Sequence, residues 1–179
     1  TSVIGYAVSA DGVHIDHKSS EPIYAPREKF EEKIYMNSFS GCEDPRLTRI
    51  NDTIYMCYTA YDGVNPTRVA FTNISVEDFV KNNWNWSMPI LISPPGVNDK
   101  NACLLSEKVN GRYVFLHRLK NSIWIDYVDD LGFTNKRWLE GKILFGPDEN
   151  SWDSEKIGIG PPPLKLNEGW LLIYHGLSK

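Results

Sequence analysis

Three stretches of this chain, LTRINDTIYMCY (47–58), SEKVNGRYVFLH (106–117) and LKLNEGWLLIYH (164–175), lie over one another without a gap. Each holds a polar pair, Asn51-Asp52, Asn110-Gly111 or Glu168-Gly169, and then a run of β-branched and aromatic residues. Such pairs suit the tight turns that join two twisted strands. The runs behind them, Thr53–Ala60, Arg112–His117 and Trp170–His175, have strand composition. The three stretches therefore predict three β-hairpins. Tyr58, His117 and His175 fall at one position, with spacings of 59 and 58 residues. A fixed period of this size, with several strands per unit, is the signature of a β-propeller.

The remaining strands fit the same unit. Thr67–Phe71 and Pro89–Ser93 follow the first hairpin, and Ile123–Tyr127 and Lys142–Phe145 follow the second. Before the first come Val3–Val8, a turn at Ala10–Gly12 and a strand near His14–His17. The one predicted helix is short, Ser75–Val80, with Ser75 as N-cap and Asp78 at the capping-box position. The expectation is an all-β single domain holding about three blades: a half blade over 1–40, whole blades over 41–98 and 99–150, and a half blade over 151–179. Propellers typically close with about four to eight blades. The chain is thus expected to be a partial propeller, either a piece of a longer protein or one that closes by another route.

At 179 residues there is enough chain for one domain with a real core. The formal net charge of −4 argues against a general nucleic-acid partner. No apolar run approaches the length of a membrane span, so no membrane association is expected. From Thr1 onward there is neither a basic n-region nor an apolar h-region, so no leader is expected there. Cys42, Cys57 and Cys103 are odd in number and lack CxxC spacing. They make a poor disulfide framework and a poor zinc site, which points to a reducing, cytoplasmic setting and no metal. Aromatic residues make up 12%, a level that suits a β core or a sugar site.

The period also lines up chemically loaded residues. Asp44 and Arg46 lie just before the inner strand of the first whole blade. Lys100 and Asn101 occupy the same place one blade on, and Glu155 and Lys156 occupy it again. Each group alone has a plain structural reading: Asp-Pro-Arg as a surface turn with an ion pair, His117 and His175 as half-buried histidines, Pro161–Pro163 as a stiff linker. The recurrence at one level of the blades favours a site, since loops on a rigid scaffold commonly carry function.

The stretches GCEDPRLTRINDTIYMCYTAYDG (41–63), DKNACLLSEKVNGRYVFLHR (99–118) and WDSEKIGIGPPPLKLNEGWLLIYHG (152–176) resemble the successive motifs of glycoside hydrolase family 130. The likeness runs from Gly5 to Gly176. That family comprises β-mannoside phosphorylases and some β-mannosidases on five-bladed propellers. The resemblance implies Asp44 as the catalytic acid, protonating the leaving oxygen through a hydroxyl of the bound mannose. It implies inverting phosphorolysis of β-mannosides, whether β-1,4-linked or mannooligosaccharide, to α-mannose 1-phosphate. Inorganic phosphate is then the co-substrate and no cofactor is needed. Arg68, Lys100, His117 and Arg118 are the implied phosphate ligands. Glu43, Arg46, Tyr61, Asp62, Asn101, Glu155, Lys156 and His175 are the implied sugar-side residues. Phosphate is already an anionic nucleophile, so one carboxylate suffices. An inverting hydrolase needs a second, roughly 6.5–9.5 Å away, to activate water. The basic cluster favours phosphorylase over hydrolase.

Three other readings stay open: a β-mannosidase with Glu155 as base, a non-catalytic carbohydrate-binding fragment, and an assembly module. In the last, the half-blade edges would pair with a second copy, because an unpaired strand edge is a template for another chain.

Overall fold

The computed structural model describes residues 1–134 and 138–178 of the protein. Its strands are β1 (Ala7–Val8), β2 (His17–Lys18), β3 (Gly41–Ile50), β4 (Thr53–Tyr61), β5 (Arg68–Ser75), β6 (Ile90–Leu91) and β7 (Asp99–Leu104). They continue with β8 (Tyr113–Leu119), β9 (Ser122–Val128), β10 (Lys142–Phe145), β11 (Lys156–Ile159), β12 (Leu164–Leu166), β13 (Gly169–Leu171) and β14 (Tyr174–Leu177). One helical turn, α1 (Val76–Val80), starts where the sequence places it, with the Ser75 hydroxyl accepting from Asp78 N at 3.0 Å. Two four-stranded antiparallel meanders dominate, β3-β4-β5-β6 and β7-β8-β9-β10. After them β11 pairs with β14, and β12 with β13.

The turns explain the pairing. Asn51, with φ 52°, joins Ile50 to Thr53, and Asn110 and Gly111, at 51° and 79°, join Val109 to Arg112. At Asn110-Gly111 both central residues have positive φ, the geometry that matches strand twist, whereas in the first turn Asn51 alone has it. The third turn sits one residue earlier than predicted. Leu166 pairs with Gly169, so Asn167 and Glu168 make the turn.

The ends also depart from the sequence reading. Near the N-terminus only the β1–β2 pair forms a ladder. Asp11 accepts backbone bonds from Val13 and His14, so a local side-chain turn takes the donors a strand would have used. Ser2 instead bridges to Gly41, and Ile4 to Tyr24. The run Trp170–His175 is divided between β13 and β14. Opposite the break stand Pro161, Pro162 and Pro163, which have no N–H to donate to a ladder.

Alternation builds the core in layers. On β4, Met56, Tyr58 and Ala60 face one way, packing with Ile4, Tyr24, Ala70, Ile74 and Trp86. Cys57, between them, faces the other way with Val69 and Phe71, against Ala102, Leu104, Phe115 and Val128 of the second sheet. The far side of the second sheet, Cys103, Val114, Leu116 and Ile123, packs on Ile157 and Ile159 of β11. Each central strand is thus buried on both faces, and its middle is mostly apolar rather than alternately polar, with Thr59 and His117 as buried exceptions.

Phe115 is fully buried at the middle layer, with Phe71 and Phe133 edge-on at 5.5 and 5.7 Å. Phe115→Ala should therefore cost about 3–5 kcal/mol in urea unfolding. Val80→Ala, on the exposed end of α1, should stay within about 0.5 kcal/mol.

Candidate active site

The motif Glu43-Asp44-Pro45-Arg46 lies inside β3, not before it. Glu43 pairs with Thr59 and Arg46 with Cys57, so Asp44 and Pro45 together oppose Tyr58 in a β-bulge. Proline fits a bulge because it has no ladder bond to lose. Asp44 takes φ 53°, a left-handed conformation that Asp tolerates better than most residues. The second sheet repeats the device. Lys100 pairs with Arg118 and Cys103 with Leu116, leaving Asn101 and Ala102 opposite His117, with Asn101 also at φ 53°.

The third hairpin has no bulge: Gly158 stands directly opposite His175. By this register Lys156, opposite Leu177, matches Asp99 and Cys42, and Glu155 precedes the strand. Glu155 and Lys156 are thus displaced from the level of Asp44 and Asn101. A Cβ on Gly158 would lie 2.5 Å from His175 Nε2 and 3.0 Å from Asn101 Oδ1. Glycine there lets those two side chains approach the backbone.

Beside the bulges opens a cavity of about 860 Å³. Its wall includes Glu43, Tyr61, Lys100, Arg118, Lys120 and Lys156. Lys100 and Arg118 are direct cross-strand neighbours. Like charges so placed repel unless an anion lies between them. Burial draws the Arg118 guanidinium below its ordinary pKa; Asp44 pushes it back up and Arg46 lowers it further. His175 is likewise drawn down, first by burial, then by Arg118 and Arg46, while Asp44 opposes. Asp44 and Arg46 thus both act on the charge of Arg118 and of His175. Glu43 accepts from the Ser2 hydroxyl at 3.1 Å.

Other residues named from the sequence lie off this wall. Arg68 lines a neighbouring cavity of about 220 Å³. Its guanidinium lies over Trp138 at 4.9 Å and donates to the Ser93 carbonyl. His117 is fully buried, with Nδ1 2.8 Å from Asp99 Oδ2. Burial raises the Asp99 carboxyl and the His117 contact opposes that. Asp62 is spent on its own loop, accepting from Val64 N, Asn65 N and Asn65 Nδ2 at 2.9, 2.8 and 2.6 Å. Burial pushes its carboxyl up, but these bonds hold it below the usual value. Asn101 is buried, with Oδ1 unpartnered among the described residues. Arg46 is used on backbone carbonyls: Nε to Gly160 O, Nη2 to Ile159 O and Nη1 to Asp44 O.

Sequence reasoning passed over three features. Lys120 and Asn121, both on the cavity wall, form the turn between β8 and β9; an apolar strand followed by Lys-Asn was a usable signal. Gly158 is marked only by its Gly-Ile-Gly setting. Glu31, in an irregular stretch, carries no pattern at all, yet it is fully buried beneath Tyr58.

A family model described as beta-1,4-mannooligosaccharide phosphorylase matches residues 1–179. Two relatives from Thermoanaerobacter sp. (strain X514) are a beta-1,2-mannobiose phosphorylase, 38% identical over 99% of this chain, and a 1,2-beta-oligomannan phosphorylase, 34% identical over 97%. This chain covers 53% of each. A beta-1,4-mannooligosaccharide phosphorylase from Ruminococcus albus is 30% identical over 94% of the chain, which covers 48% of it. Among solved structures, a beta-1,2-mannobiose phosphorylase from Listeria innocua superposes with a TM-score of 0.72 at 26% identity, over 97% of this chain and 45% of that one. The chain spans about half the length of the curated relatives it matches. It belongs to glycoside hydrolase family 130, the mannoside phosphorylase family, and carries part of that family's five-bladed β-propeller.

Proposed function

We propose that this chain supplies the acid and the phosphate site for inverting phosphorolysis of a β-mannoside to α-mannose 1-phosphate. One observation carries the reading. Lys100 and Arg118 stand side by side on a cavity that also receives Lys120 and Lys156, next to the Asp44 bulge. Four cations on one wall of an acidic chain suit a small multivalent anion, with lysine as point charge and arginine as planar fork. The names of the relatives agree, since each is a phosphorylase of a β-linked mannoside.

In the proposed step a phosphate oxygen attacks the anomeric carbon from the face opposite the leaving group. The glycosidic C–O bond breaks, and the Asp44 proton passes to the leaving oxygen by way of a sugar hydroxyl. Asp44 and Glu155 both lie just off the cavity wall, Asp44 next to Glu43 and Glu155 next to Lys156, and the cationic wall is what favours phosphate over water as the nucleophile. Arg68 and His117 act from behind the wall, Arg68 held by Ser93 and Trp138, His117 by Asp99. Tyr61 and Glu43 face the sugar side. We assign whole blades to 41–98 and 99–150, with half blades at 1–40 and 151–179. Among the described residues no helix is long and apolar enough to cross a membrane; a cytoplasmic setting, where phosphate is plentiful, is part of the proposal.

The reading is tested on β-1,2- and β-1,4-mannobiose with and without phosphate. Sugar 1-phosphate should form only when phosphate is present, and the faster dimer identifies the linkage. Equal release of mannose without phosphate would overturn it. Asp44→Asn should lower kcat by about 10²–10⁴-fold, because the amide cannot give up the proton. Lys100→Ala and Arg118→Ala should each raise the phosphate KM by about 10–100-fold, the loss of one charge-assisted contact. Arg68→Ala should raise it less.

A further inference from the structure

A non-glycine residue at positive φ keeps its place only when its surroundings over-determine it. Asp44, at φ 53°, is such a residue. Its carbonyl accepts from Arg46 Nη1 at 2.9 Å. The same guanidinium donates from Nε to Gly160 O at 2.7 Å and from Nη2 to Ile159 O at 2.9 Å. Those two acceptors are 114 and 113 residues away in the chain. They lie where β11 stops and the three prolines begin, so the Gly160 carbonyl is outside any ladder. Three donors on one rigid plane, bound to three carbonyls, leave the guanidinium no freedom to rotate.

We infer that Arg46 is a positioning residue that ties the Asp44 bulge to the end of β11. The place of the carboxylate is then set jointly by the first sheet and the third hairpin. The inference rests on Asp44 being the acid. It gives Arg46 a task beyond contacting sugar, since three of its five N–H donors are directed at backbone oxygen. Lysine at this position would keep the charge but lose the fork, reaching one carbonyl at a time.

The test uses the intact protein carrying Arg46→Lys or Arg46→Ala. Hydrogen exchange should accelerate together at the amides of Asp44 and Arg46 and at those of Ile159 and Gly160, by about tenfold or more. Exchange across β8 and β9 should stay at the wild-type rate. In the same variants kcat per folded molecule should fall by about 10–100-fold, the effect of a misplaced catalytic group. The phosphate KM should hold, because Lys100 and Arg118 remain. Unchanged exchange at either segment overturns the tie. A normal kcat in folded Arg46→Lys overturns the positioning role. A wild type without phosphorolysis counts against the reading of Asp44, and the exchange result then still decides whether Arg46 makes the tie.

Discussion

The central strands β4 and β8 are covered on both faces, and much of the molecule follows from that. A strand with one wet face can alternate polar and apolar residues, but one covered on both sides cannot. Met56, Cys57, Tyr58, Thr59 and Ala60 are consecutive and all buried, as are Val114, Phe115, Leu116 and His117. The sheets must therefore stack, and stacking brings their inner edges, β3, β7 and β11, toward one another. Functional groups need only sit at one level on those edges to meet. Thr48 on β3 donating to Leu104 O on β7 at 2.7 Å shows how closely the edges approach.

Burial on both faces creates a problem wherever a polar residue falls in such a strand. Tyr58 and His117 occupy matching positions, and each is answered by an acid. Glu31 takes the Tyr58 and Tyr24 hydroxyls and the Cys42 thiol on one oxygen. Its other oxygen takes the backbone N–H groups of Arg27 and Glu28 at 2.8 and 2.9 Å. A buried carboxylate is tolerated only with such a set of donors. Asp99 answers His117 with one bond, and Asp99 Oδ1 and His117 Nε2 are both unpartnered among the described residues. The two matching positions are solved by different chemistry, so the repeat is one of backbone rather than of side chains.

The site shows the same economy. Two bulges of identical form, centred on Asp44 and Asn101, carry different side chains. One presents a carboxylate, the other an amide. Around them the chain, acidic as a whole, gathers Lys100, Arg118, Lys120 and Lys156 on one cavity. Net charge describes solubility and long-range attraction, not what a particular cleft will hold.

Local patterns determined a good part of this. Asn51 and Asn110-Gly111 mark turns whose φ values few other residues adopt, and the 59- and 58-residue spacing made the repeat visible. The runs behind those turns are strands because nothing else buries them. Lys100 and Lys156 were legible from their recurrence along the period, and Glu43 and Arg118 through the family resemblance. The tertiary structure alone decided the rest. No local pattern states that Arg46 will reach carbonyls 113 and 114 residues away, that Asp62 will be consumed by its own loop, or that Arg68 will turn to Trp138 instead of the cavity. Nor does any local pattern bury Glu31 under Tyr58. Turn and strand preferences act over a few neighbouring residues, whereas the partner of a long polar side chain depends on which distant backbone the stacked sheets bring within about 3 Å of it.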